Sequence, residues 1–196
     1  MSTSNAPFGL KPLKYWSGGG GSQALQYNAA GINSGYTSSI YENSPVKYAT
    51  AGTLNIGGAT GAILGSFVGV KYTPLGDRPR ITNIWPASQA LATSTTAQAF
   101  FYDDPSLCYE IQADGSLAQS SIGDEGNFTT AAVGSGDSIT GLSLATLNST
   151  LAAAGTQAQM RIVGLALDAD NDWGDTYTKV QVIVANHQYV SPQTAL

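Results

Sequence analysis

The sequence predicts an all-β protein, with a single sandwich or barrel domain over residues 45–196 and an extended arm over residues 1–44. Three observations carry this. Short runs rich in Val, Ile, Tyr and Phe recur roughly every 8–15 residues between Gly, Asn, Asp and Pro turns, which is the rhythm of sandwiches and barrels. Charged residues make up 11% of the chain, against about 25% in ordinary globular domains, so Ser, Thr, Asn, Gln and Gly must supply the polar surface. No segment gathers enough strong helix formers for a long helix.

Residues 2–39 are mostly Gly, Ser, Asn, Ala and Thr. Against that background Phe8, Leu10, Leu13, Tyr15 and Trp16 stand out as large and apolar, with Lys11 and Lys14 among them and four glycines at positions 18–21. The pattern predicts an adhesive tip on a flexible glycine hinge, so these seven residues are the candidate partner-binding set. Each large side chain buried against a partner is worth about 1.5–3 kcal/mol, enough in sum to offset ordering of the tether.

Strand signals then follow in order. Residues 45–50 alternate and end at the Ala51-Gly52 turn, and residues 53–56 form a short strand closed by Gly57-Gly58. Residues 62–72 are strongly β, with glycines where the backbone bends or is closely approached. Residues 73–79 are a loop, and residues 81–85 and 97–102 are further strands. Asp103-Asp104-Pro105 makes a turn before an alternating strand over residues 107–112, and Asp114-Gly115 predicts a tight hairpin. Residues 123–137 read as an exposed loop. Residues 144–154 place leucines at helical spacing among weak helix formers, which predicts a helical turn or loop. Residues 159–167 and 177–190 are strands flanking the polar turn 168–175. Ile63-Leu64-Gly65 is echoed by Ile162-Val163-Gly164.

Several chemistries find no support. The net charge is −5 and the Lys and Arg residues are scattered, whereas phosphate neutralisation needs them clustered, so no nucleic acid is expected. The N-terminus has no uninterrupted apolar stretch of the secretory kind, and residues 59–70 are too short and too broken to span a bilayer. A soluble protein made in the cytoplasm is expected. One cysteine, Cys108, rules out an internal disulfide framework and reads as a buried, inert thiol. His187 is the only histidine and no nucleophile elbow accompanies it, so it reads as a hydrogen-bonded residue at a strand end. The glycines at 57, 58 and 61 are followed by β-formers where a dinucleotide fold needs a helix. The paired acids Asp103-Asp104 and Asp124-Glu125 are adjacent, not opposed across a sugar. Trp16, Trp85 and Trp173 are too dispersed for a carbohydrate platform. No enzyme and no cofactor are expected.

The most suggestive ligand motif is the turn carrying Asp168, Asp170, Asp172 and Asp175, whose alternating acids could direct oxygens at one Ca²⁺. It departs from an EF-hand loop in two ways: the glycine comes one position late, and Lys179 stands where the closing Glu belongs. A solvated β-hairpin turn is the expected reading.

Four stretches together resemble the capsid decoration, or cement, proteins of tailed bacteriophages, especially of the marine and cyanobacterial type. The opening residues 5–12, Asn-Ala-Pro-Phe-Gly-Leu-Lys-Pro, resemble the common start of that family. Residues 63–70 resemble its central glycine-punctuated strand. Residues 103–105 with 109–115 resemble its middle hairpin, and residues 161–165 with Asn171 and residues 180–188 its C-terminal strand pair. Residues 17–39 depart from the pattern. The resemblance implies a jelly-roll or β-tulip fold and a homo-oligomer, dimer or trimer, on the outer capsid surface of the virion. It also implies a structural role: cementing major capsid protein subunits against internal pressure. A tail, fibre or head-spike module binding host glycans is the alternative.

Overall fold

A computed structural model describes residues 4–16, 28–130 and 133–190. In chain order its strands are β1 (Lys11–Tyr15), β2 (Asn28–Ile32), β3 (Ile40–Tyr41), β4 (Pro45–Tyr48), β5 (Leu54–Ile56), β6 (Gly65–Tyr72), β7 (Arg80–Thr82), β8 (Ile84–Trp85), β9 (Ala97–Tyr102), β10 (Leu107–Gln112), β11 (Glu125–Gly126), β12 (Met160–Leu165) and β13 (Lys179–Val184). Every pairing between these strands is antiparallel. The only helical element among the described residues is a single 3-10 turn at Gln119–Ser121. The all-β class expected from composition is therefore the class observed.

The strands form two main sheets. The first runs β1-β10-β13-β12-β11, and the second β2-β9-β6-β4-β5 with β7 also paired to β6; β3 and β8 make a small ribbon of their own. The second sheet curls, so that Asn33, just past β2, donates to Thr53 Oγ1 and the Ile56 amide donates to the Tyr36 hydroxyl near β5. Strands that pair within a sheet are often far apart in sequence, because the chain crosses between sheets at the 103–106 turn. There Asp104 accepts the Ser106 amide at 2.7 Å, and both Asp103 carboxylate oxygens accept from Asn28.

Each sheet has its own apolar cluster. Leu107, Tyr109, Ile111, Phe128, Met160, Ile162, Val180 and Val182 fill the first, and Val46, Leu54, Phe67, Val70, Trp85, Ala99 and Phe101 fill the second. Alternation explains the second cluster: in β9, Ala97, Ala99 and Phe101 are buried while Gln98 is exposed. β10 is buried at all six positions because it lies between β1 and β13 and is covered on both faces. Ile63 and Leu64 are consecutive yet belong to different clusters, so the approach to β6 joins the two cores.

Four expectations need correction. The described residues of the expected arm, 4–16 and 28–44, do not lie outside the fold: β1 is an edge strand of the first sheet, β2 an edge strand of the second, and Ile40 and Leu10 are fully buried. Asp114-Gly115 does not close a hairpin, because the neighbours of β10 are β1 and β13. Asp114 instead ties two loops, accepting the Ser149 amide at 2.7 Å and the Thr129 hydroxyl at 2.8 Å. Residues 123–137 are not simply exposed, since Glu125 and Phe128 are buried. The echo between Gly65 and Gly164 is not structural: a Cβ on Gly65 would lie 2.3 Å from the Tyr102 carbonyl oxygen, whereas Gly164 has open space.

Candidate functional site

The candidate partner-binding residues lie in segment 4–16, which is bound along the side of the molecule. Gly9 turns the chain at φ +76°, and a Cβ there would come within 2.4 Å of the Asn43 carbonyl oxygen, so only glycine fits. The turn lets the Leu10 amide donate to that same carbonyl at 2.7 Å, while the Asn43 side-chain amide donates to the Phe8 carbonyl at 3.1 Å. Upstream, buried Gln112 grips the backbone with both ends of its amide, accepting from Ala6 N and donating to the Ser4 carbonyl. Downstream, β1 pairs with β10, and the Trp16 amide donates to the Ser106 carbonyl at 2.7 Å.

The seven candidate residues divide sharply. Leu10 is fully buried in the first core and cannot touch a partner while the segment is docked. Phe8 and Tyr15 are half-buried, with Tyr15 packed against the first core. Lys11 spans the β1–β10 pair to Glu110 at 3.3 Å and lies over the Phe8 ring. Leu13, Lys14 and Trp16 are exposed, and Trp16 is 53% accessible. Leu13 is exposed because the register skips it: Pro12 faces Tyr109 and Lys14 faces Cys108, leaving Leu13 as the extra residue of a β-bulge. Beside the segment an open groove of about 510 Å³ is walled by Phe8, Pro12, Phe67, Val68, Tyr102 and Leu142, with Lys11 and Glu42 at its rim. The glycines at 18–21, expected as a hinge, lie outside the described residues.

The acidic turn joins β12 to β13 as an antiparallel pair, as a hairpin turn should. Its centre is not an acid but Asn171, which is buried. Its amide donates to the Ala166 and Lys179 carbonyls at 3.0 and 2.8 Å and its oxygen accepts the Lys179 amide at 2.9 Å. The Lys179 ammonium lies 2.8 Å from Asp168 and 3.8 Å from Asp170, and Asp175 accepts the Asp172 amide. The neighbouring carboxylate of Asp168 holds the Lys179 pKa above its ordinary value. An internal cation thus occupies the place proposed for calcium. Among the described residues, no group of three or more His, Cys, Asp and Glu side chains is arranged to hold a metal ion.

The remaining reactive groups are built into structure. His187 follows β13, is buried, and its Nδ1 accepts the Tyr189 amide at 3.1 Å. Burial depresses its pKa despite the nearby carboxylates of Asp103 and Asp104. Burial raises the Cys108 thiol to about 11, so almost no thiolate forms near neutrality. Trp85 is buried in the second core and Trp173 packs on the first, leaving no joint aromatic face with Trp16. No described helix is long and apolar enough to cross a membrane.

Sequence reasoning missed the residues that hold the segment. Gln112 sits inside a strand as an ordinary alternating polar residue, and Asn43 has no motif around it; its one signal is the Asn-Ser pair before Pro45, a type of residue that tolerates φ of +63°. Glu125, in a segment whose composition predicts an exposed loop, is fully buried, 2.7 Å from Arg161, and accepts the Ala158 amide. Comparison with family models, with curated proteins and with solved structures gives no match for this chain.

Proposed function

We propose that this chain is a structural virion protein that binds the outer surface of a mature phage capsid and cements neighbouring major capsid protein subunits. The observation that carries the reading is the exposed row Leu13, Lys14 and Trp16 on a strand anchored by Leu10, Asn43 and Gln112. Apolar side chains on a pinned strand have already lost much of their freedom, so binding through them costs less ordering than binding through a loose tail. The family-like opening at residues 5–12 leads directly into that row. A chain with only 11% charged residues suits a mechanical role, which we take to be non-enzymatic. In this reading the two sheets belong to a jelly-roll or β-tulip type, and the protein acts as a homo-oligomer without nucleic acid or membrane. It is made in the host cytoplasm and ends on the virion surface, where repetition over the shell adds avidity.

The test is co-sedimentation of the purified protein with expanded capsids that lack it. The variant Leu13→Asp/Lys14→Glu/Trp16→Ala alters only exposed side chains and should keep its fold by circular dichroism while losing at least about 90% of capsid binding, more than 1.4 kcal/mol. Undiminished binding by the folded variant overturns the reading.

A further inference from the structure

Two surfaces of the molecule have opposite charge, and each carries large apolar side chains in the open. Although the cations are scattered along the sequence, three of the eight Lys and Arg residues meet on the β6–β7 hairpin: Lys71, Arg78 and Arg80, with Asp77 as the single acid among them. Lys71 pairs with Ile81, so the two project from the same side of the sheet, away from buried Val70 and Tyr72, and Ile81 is 73% exposed. Leu75, in the loop of the hairpin, is 64% exposed. On the other surface, the β12–β13 turn sets Asp168, Asp170 and Asp172 in solvent next to Leu167, which is 91% exposed. Lys179 is the single cation within residues 167–179.

Both surfaces are held in shape before anything binds. The Leu75 amide donates to the Ala90 carbonyl and the Ala92 amide to the Thr73 carbonyl, each at 3.0 Å, which pins the loop of the hairpin. Asp77 accepts the Arg78 amide at 2.7 Å and pairs with Arg80, whose guanidinium also lies by the Tyr72 ring. The acidic turn is fixed by Asn171. Docking two ordered surfaces costs little further ordering. Among the described residues Lys71, Arg78 and Asp172 have no ion-pair partner, and no ion pair joins the hairpin to the turn within one chain. The two surfaces belong to different sheets.

We propose that the β6–β7 hairpin docks, head to tail, on the β12–β13 turn of a second copy of this chain. The partner such a hairpin fits has exposed carboxylates around an exposed aliphatic side chain, and the chain itself presents one. Leu167 packs against Ile81 and Leu75, while Asp170 and Asp172 meet Lys71 and Arg78. Each copy carries a net charge of −5, so copies repel on the whole, and opposed local charges select this one orientation. A contact between two unlike surfaces is heterologous: it leaves a hairpin free at one end and a turn at the other, and it closes into a ring or continues as a chain. Both surfaces are separate from the Leu13–Trp16 row, so the inference neither rests on the capsid reading nor fails with it.

The test is charge-swap complementation in the full chain, read by sedimentation velocity without capsids. The native protein should self-associate at low salt and dissociate as the screening length falls from about 30 Å at 0.01 M to about 3 Å at 1 M. Reversing the hairpin (Lys71→Glu/Arg78→Glu) or the turn (Asp170→Lys/Asp172→Lys) changes only exposed side chains, and each variant alone should associate at least about tenfold more weakly. An equimolar mixture of the two variants should associate again. There the intact turn of one chain meets the intact hairpin of the other, and the two reversed surfaces also attract. Restored association shows at the same time that both variants are folded. A native protein that stays monomeric at low salt up to about 1 mM overturns the proposal and assigns the hairpin to a different acidic partner. Association that survives either reversal, or reversed variants that do not associate when mixed, overturns it as well, because the copies then meet through other surfaces.

Discussion

His187 shows how one buried side chain makes stability depend on pH. Its imidazole is almost wholly enclosed, and burial disfavours the charged form more than Asp103 and Asp104 favour it, so its folded-state pKa lies below the ordinary value of about 6.5. Below about pH 6.5 the unfolded chain therefore binds a proton that the folded chain resists, and stability falls with pH; above about pH 7 both states are neutral and this contribution is flat. Urea midpoints at about pH 7.5 and 5.5 should differ in the native protein, with less stability at the lower pH, and the difference should shrink in His187→Gln. An equal difference in both proteins would assign the effect to carboxylates. The lone histidine was legible as a structural residue from its context at the end of a strand. Its depressed pKa was not, because that depends on the packing around it.

At the scale of elements, the β12–β13 turn stands on Asn171 and Lys179. Asn171 is surrounded by four aspartates in sequence, and charge drew the sequence reading to them. The fold uses the neutral amide, because only an amide can donate to the carbonyls of Ala166 and Lys179 and also accept the Lys179 amide. Replacing Asn171 with Ala orphans these backbone groups and should cost about 2–3 kcal/mol in urea unfolding. Asp170→Asn, an exposed change at the outer ion pair, should be close to neutral. Millimolar Ca²⁺ should leave the melting temperature unchanged, since the Lys179 ammonium already sits between Asp168 and Asp170; a rise of several degrees would restore the calcium site. The strands themselves were well legible. The alternating run 97–102 is β9, and residues 107–112 are β10, because β-formers between turn residues carry their own local signal. β1 was missed as an element, since Pro and two Lys in five residues mark an edge strand, whose pairing comes from a distant partner.

For the whole molecule the question is whether two apolar clusters unfold as one. The chain crosses repeatedly between sheets, Ile63 and Leu64 enter different clusters, and Gln159 beside β12 binds Gly58 and Gly61 near the second sheet while accepting the Phe128 amide. Such interleaving favours a single cooperative transition. The tryptophans provide reporters, since Trp85 lies in the second cluster and Trp173 against the first. Fluorescence of Trp16→Phe/Trp173→Phe and of Trp16→Phe/Trp85→Phe should each give a melting curve coinciding with that from circular dichroism for the same variant. A separation of several degrees would show that each sheet stands by itself.

The sequence by itself determined the all-β class, most strand positions and the buried thiol, because these follow from local propensity, alternation and composition. Only the tertiary structure decided which strands pair, that two cores form and that Leu10 points inward. It alone placed a lysine where calcium was considered, and it turned the supposed arm into an edge strand with an exposed face. Each of those outcomes depends on a partner far away in the chain, such as Ala6 with Gln112 or Lys14 with Cys108, and local sequence carries no record of such a distance.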